Sequence, residues 1–136
     1  EIYACDLSPG MLRLARERGL PAHVRFVCGS ALAVDRPDGW FDRVICLNVF
    51  PHFADSARAL REFARALRPG GQFWINHFES RESLNRFHTE AAPEVADHAL
   101  PCDESMTRLL RGAGFRVEEI ANRPDAYWVK AIREKN

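Results

Sequence analysis

Ile2-Tyr3-Ala4-Cys5-Asp6-Leu7-Ser8-Pro9-Gly10-Met11-Leu12 reads as a short apolar strand that stops on a carboxylate and runs straight into a helix. Ser8 and Pro9 supply the start signal: a hydroxyl satisfies a free first-turn amide, and the proline ring presets the helical backbone angle. The helix is predicted to end at Gly19, with Met11, Leu12, Leu14 and Ala15 gathered on one side and Arg13, Arg16, Glu17 and Arg18 left to solvent. A strand feeding a helix is the unit of an α/β domain, so the rest of the chain is read for its repetition.

Working outward, residues 24–28 form the next strand, closing on Gly29-Ser30-Ala31, and a loop through Pro37-Asp38-Gly39 leads to Val44-Ile45-Cys46-Leu47. That run has no polar alternation, which predicts burial on both faces in a parallel sheet, and it stops at Asn48. A helix is expected over 55–67, with Leu60, Phe63, Ala64 and Leu67 on its apolar side and Pro69-Gly70-Gly71 terminating it. Phe73-Trp74-Ile75 is again a buried strand, reaching Asn76 and His77. The pattern then weakens over 79–101, where a short helix at 81–88 gives way to a loop across Pro93 and Pro101. Helical spacing returns at Met106, Leu109, Leu110 and Ala113 behind an Asp103 cap and stops at Gly114. The strands at 115–120 and 127–132 are joined across Arg123-Pro124-Asp125, a connection short enough only for an antiparallel pair.

The predicted fold is therefore one α/β domain over 1–136, a mostly parallel sheet with a C-terminal antiparallel hairpin, and 79–101 is an insertion on the substrate side. Nineteen basic and nineteen acidic side chains cancel, so no net field draws the chain to nucleic acid or to an anionic membrane, and a small-molecule substrate is the expected partner. No apolar run approaches the roughly 18 residues of a membrane span. Cys5, Cys28, Cys46 and Cys102 show no zinc spacing; the first three, in apolar segments, are expected to pack as small hydrophobes, a usage that suits a reducing cytoplasm.

In sheets of this kind ligands sit beyond the carboxyl ends of the strands, where this sequence places Asp6, Ser30, Asn48, Asn76 and His77. Asp6 can accept two hydrogen bonds from ribose hydroxyls or serve as a turn residue. Leu7 and Met11 can flank an adenine, although apolar residues at this spacing more commonly serve the core. His52, after the 44–47 strand, can take a proton near neutral pH; the alternative is a solvated loop histidine. His77, His88 and His98 cluster in sequence with Asn76, Glu79, Asn85 and Asp97, a spacing that matches no standard metal site and points to a substrate pocket lined by His77 and His88. Arg58, Arg61, Arg65 and Arg68 read as a solvated helix face.

Several segments together are similar to class I S-adenosylmethionine-dependent methyltransferases of the type 11-like kind. Asp6 to Leu12 resembles the acidic end of their second strand, and Gly29-Ser30-Ala31 occupies the place of the turn that receives the adenine. Residues 41–48 resemble their fourth strand, Leu67-Arg68-Pro69-Gly70-Gly71 the turn before the fifth, and Ala113-Gly114-Phe115 with the hairpin their last two strands. The resemblance implies S-adenosylmethionine as cofactor, held by Asp6, Leu7, Met11, Ser30, Ala31 and Asn48, and a substrate-facing role for His52. It also implies a strand order in which the family's first strand lies between the second and the fourth. Ser30 stands where the family has an aspartate, which predicts a weaker adenine contact. The family's glycine-rich turn, about 20 positions before the acidic residue, does not occur in this sequence, so the domain is expected to be incomplete at its N-terminal side. Unpaired strand edges then predict that the isolated chain either rearranges by pairing its edges, for instance between two copies as a homodimer, or aggregates, and that it binds the cofactor poorly.

Two other functions stay open: a non-catalytic remnant of such a domain, and a nicotinamide-dependent dehydrogenase, which also uses an acidic strand-two residue for ribose. The terminal hairpin and the 6–12 pattern argue against the dehydrogenase.

Overall fold

The computed structural model describes residues 1–91 and 98–135. Strand β1 (Ile2–Asp6) runs through helix α1 (Pro9–Glu17) to β2 (Val24–Cys28), which pairs with it in parallel. Ser8 Oγ accepts the Met11 amide at 3.3 Å and caps α1 as predicted. Strands β3 (Phe41–Leu47) and β4 (Leu67–His77) are also parallel, linked by a 3₁₀ turn at Phe50–His52 and by α2 (Ser56–Ala66). Helices α3 (Arg81–Ala91) and α4 (Asp103–Gly112) follow, and β5 (Phe115–Arg123) with β6 (Ala126–Arg133) makes the predicted antiparallel hairpin. The expected Pro93 break and Asp97 lie outside the described residues.

The strands form two sheets, as the absence of the family's first strand implies: β1-β2, and β3-β4-β6-β5 with β6 antiparallel to β4. The division falls between β1 and β3, where the resemblance puts a further strand. The two parts touch where Tyr3 meets Phe41 edge-on, with ring centroids 5.6 Å apart, and where Arg36 lies 4.7 Å over the Tyr3 ring.

The core lies on one face of the four-stranded sheet. Cys46, Phe73, Ile75, Tyr127 and Val129 alternate inward along their strands and meet Leu60 and Phe63 of α2 and Met106 and Leu110 of α4. The opposite face leaves Ile45 and Leu47 57% and 53% exposed, so β3 is buried on one side only, against expectation. The reason is plain: among the described residues no helix packs there, and an unbroken apolar run cannot reveal which of its faces is covered.

Other expectations need correction. Helix α2 ends at Ala66, and Pro69-Gly70-Gly71 lies inside β4 as an irregularity between the Phe41–Leu67 and Arg43–Gln72 pairs. Gly70 adopts φ +78°, and a Cβ on Gly71 would sit 2.8 Å from the Arg68 carbonyl oxygen, so these glycines permit the strand's bend and do not stop the helix. Asp103 is the first residue of α4 and not its cap; its carboxylate pairs with Arg81. Within α1 only Leu12 is buried, while Met11 and Leu14 are 55% and 50% exposed, because the helix has only a two-stranded sheet beneath it. Cys46 alone of the cysteines is buried; Cys5 and Cys28 lie exposed on that same small sheet. Arg65 is not simply solvated: it bonds Glu62, Asp38 and the carbonyls of Val34 and Arg36, fastening the loop before β3 to α2.

Candidate functional site

The parallel strands end at Asp6, Cys28, Leu47 and His77, within two residues of the predicted stops. Asp6 Oδ1 accepts the Ser8 amide at 2.8 Å, a turn bond that orients the carboxylate and leaves Oδ2 for another donor. Beside it Leu7 is 71% exposed, so Leu7 and Met11 form an apolar surface next to the carboxylate and are not core residues. Ser30 Oγ accepts the Leu32 amide at 3.1 Å, which leaves its proton to donate elsewhere, and Ala31 packs against the edge of the core. Asn48 sits at φ +50°, a left-handed conformation asparagine tolerates better than most residues, and its side chain accepts the Phe78 amide at 3.3 Å. That bond and the Asn48 amide on the Asn76 carbonyl at 2.9 Å tie the ends of β3 and β4 together.

The histidines converge. His52 Nδ1 lies 3.0 Å from His98 Nδ1, and the His52 ring centroid is 5.0 Å from that of His88 and 5.1 Å from that of His98. His52 is the exposed member; His88 is buried and hydrogen-bonds through Nδ1 to the His98 carbonyl. Burial, followed by the nearby charges of His88 and His98, holds the His52 pKa below the ordinary imidazole value. His77, buried beneath this group, is pushed down to about 4, mainly by burial and then by His52 and His88. His77 and Tyr127 stand opposite each other in the β4–β6 ladder, and His77 Nε2 and Tyr127 Oη are buried without a hydrogen-bond partner among the described residues. His77 and His88 are thus in place near His52 but behind it. Among the described residues no group of His, Cys, Asp and Glu is arranged to hold a metal ion.

Helix α3 and residues 98–100 form the wall of this group. Asn85 accepts the Leu100 amide at 2.8 Å and donates to the Leu100 carbonyl at 3.0 Å, as a neighbouring strand would. Asn122 at the end of β5 accepts the Arg81 amide at 2.9 Å and fixes the start of α3. The roles of Tyr127 and Asn122 were missed in sequence; a buried tyrosine at a strand start, level with a strand-end histidine, is the signal that could have found the first.

A mostly parallel α/β architecture with polar groups at its strand ends defines the class of proteins that bind nucleotide-like ligands beyond a sheet. Within that class the chain belongs to the methyltransferase domain family, whose model matches residues 1–75. It is 43% identical over 82 residues to a demethylmenaquinone methyltransferase of Thermus thermophilus, covering 57% of this chain and 36% of that protein. It is 27% identical over 137 residues to the ubiquinone/menaquinone biosynthesis C-methyltransferase UbiE of Yersinia pestis, covering 97% of this chain and 54% of that one. The chain spans about half the length of the curated relatives it matches. Among solved structures, a putative methyltransferase in complex with the Haloferax volcanii Trm112 activator superposes with TM-score 0.82 at 18% identity, covering 98% of this chain and 72% of that one. The [4+2]-cyclase SpnF superposes with TM-score 0.77 at 20% identity, covering all of this chain and 68% of that one. Likeness at these identities shows the fold, and a cyclase among the neighbours shows that the fold alone does not fix the reaction.

Proposed function

We propose that the chain forms part of an S-adenosylmethionine-dependent methyltransferase acting on a small-molecule acceptor. The observation that carries this reading is the constellation at the end of β1: a carboxylate oriented by its own turn, with one oxygen unengaged among the described residues, beside the exposed apolar surface of Leu7 and Met11. That donor set fits an adenosine, with Asp6 accepting from the ribose hydroxyls, Leu7 and Met11 against the ring face, and Ser30 and Ala31 along its edge. When bound, the cofactor supplies a methyl group already activated on a sulfonium, so the protein has to provide alignment, exclusion of water and, for a protonated acceptor, a base. His52 suits the role of base, because it is exposed, follows the β3 end, and stays neutral and able to accept a proton around pH 7 through its lowered pKa. Residues 79–101 are the substrate-side segment in this reading, supported by the anchoring of α3 against the histidine group. The free thiols suit a reducing cytoplasm. No helix among the described residues is long and apolar enough to cross a membrane.

Calorimetric titration of the full-length protein with S-adenosylmethionine tests the reading. Asp6→Ala is expected to weaken binding roughly 10- to 100-fold, as loss of charge-assisted bonds worth about 1.5–3 kcal/mol would. An unchanged dissociation constant would return Asp6 to a turn residue.

A further inference from the structure

We propose that His98 is a positioning residue for His52, fixing the tautomer that leaves His52 Nε2 free to take the acceptor's proton. This rests on the reading of His52 as the base. A contact of 3.0 Å between two Nδ1 atoms requires one proton between them, so one ring donates and the other accepts. Only one direction survives the reaction. Once His52 has accepted a proton it carries hydrogen on both nitrogens and can only donate, so the bond persists through proton uptake only if His98 is the acceptor. With His52 Nδ1 donating, the lone pair of the neutral ring lies on Nε2. In the methyl-transfer step, the acceptor's bond to hydrogen breaks and its proton moves to His52 Nε2. The electron pair left behind forms the new bond to the methyl carbon, and the carbon–sulfur pair stays with sulfur.

The structure holds His98 as such a partner must be held. The rings come from positions 46 residues apart in sequence, so the contact is tertiary. The backbone of His98 is fixed by His88, whose Nδ1 must carry hydrogen because a carbonyl oxygen can only accept. Two residues on, Leu100 is bonded twice to Asn85 and is only 2% exposed, so the segment is anchored in the core. The titratable groups facing His52 are His77 from β4, His88 from α3 and His98 itself, with Glu79 after β4 acting on His77. Among the described residues no carboxylate hydrogen-bonds to His52, which leaves His98 as the group that orients it.

Nitrogen NMR of the full-length protein with ¹⁵N-labelled histidine, at about pH 8, where an ordinary imidazole is neutral, reads the tautomer directly. The expected wild-type signature is a protonated Nδ1 and an unprotonated Nε2 on His52. His98→Phe should convert His52 to the opposite tautomer, whereas His98→Asn, whose side-chain oxygen can still accept from Nδ1, should retain the wild-type pattern. An unprotonated Nδ1 on His52 in the wild type, or a pattern unaltered in His98→Phe, would overturn the proposal. No methyl acceptor is needed, so the outcome stands apart from the cofactor titration: failure there removes the methyl-transfer reading and leaves the tautomer result intact.

Discussion

The β1-α1-β2 part of the molecule and the β3-β4-β6-β5 part, with its helices, carry similar apolar sequences but are built very differently. Of the buried apolar residues among those described, Leu12 alone comes from the first 45 positions; the others belong to the larger sheet and to the elements packed on it. The smaller part leaves Ile2, Leu7, Met11, Leu14 and Leu20 about half exposed or more. Apolar content alone therefore did not decide burial. What decided it was the extent of the second layer that receives the apolar face: among the described residues α2 and α4 together cover the four-stranded sheet, whereas only the short α1 packs on the two-stranded one. The groups proposed to face an adenosine, Asp6, Leu7 and Met11, thus sit on the thinly supported part, and the histidine group sits on the close-packed part.

Stability measurements can break this comparison. The largest effect is expected at Phe73, fully buried and stacked against Phe63 at 5.6 Å: Phe73→Ala should cost about 3–5 kcal/mol in urea unfolding, whereas Leu14→Ala should stay within about 0.5 kcal/mol. Equal costs at the two positions would show that the parts are supported alike. Next in size is an acid effect from His77, whose pKa is about 4 in the folded chain against an ordinary value of 6.5. As pH falls past 6.5 the unfolded chain binds this proton first, so stability drops progressively down to about pH 4 and then levels. Above 6.5 His77 is neutral in both states and contributes no pH dependence. The expected loss is roughly 3 kcal/mol, absent in His77→Phe; parallel pH curves for the two proteins would contradict it. Smaller again is Gly71→Ala, where the added methyl must displace backbone at the β3–β4 junction at a cost of about 1–3 kcal/mol. A thermal melt indistinguishable from wild type would mean that the bend in β4 relaxes freely.

Much of the fold was legible because its signals are local. Ser8-Pro9 opens α1, the Arg123-Pro124-Asp125 connection forces the hairpin, and the strand stops fell within two residues of Asp6, Ser30, Asn48 and His77. The end of α2 was placed to within one residue, but the role of Pro69-Gly70-Gly71 was misread, because such a tripeptide serves equally to stop a helix and to bend a strand, and only the pairing with β3 distinguishes the two. The β3 run could not show its exposed face for the same reason. In the candidate site, Asp6 and the separate histidines were visible as residue types at strand ends. The pairing of His52 with His98 was not, because it is a tertiary contact between positions 46 residues apart, and neither was the burial of His77 against Tyr127, which follows from the β4–β6 register.

Cys46 gives this architecture a built-in reporter. It is 3% exposed in the core and burial pushes its thiol up to about 12, while Cys5, Cys28 and Cys102 are exposed. An alkylating reagent at neutral pH should therefore consume the exposed thiols first, Cys5 the slowest of them because partial burial and then Asp6 raise its pKa, and reach Cys46 only when the four-stranded sheet opens, since the thiolate is the reactive form. The mass of a protein carrying three labels, and the rate at which a fourth is added, would time the breathing of the larger part without any engineered probe.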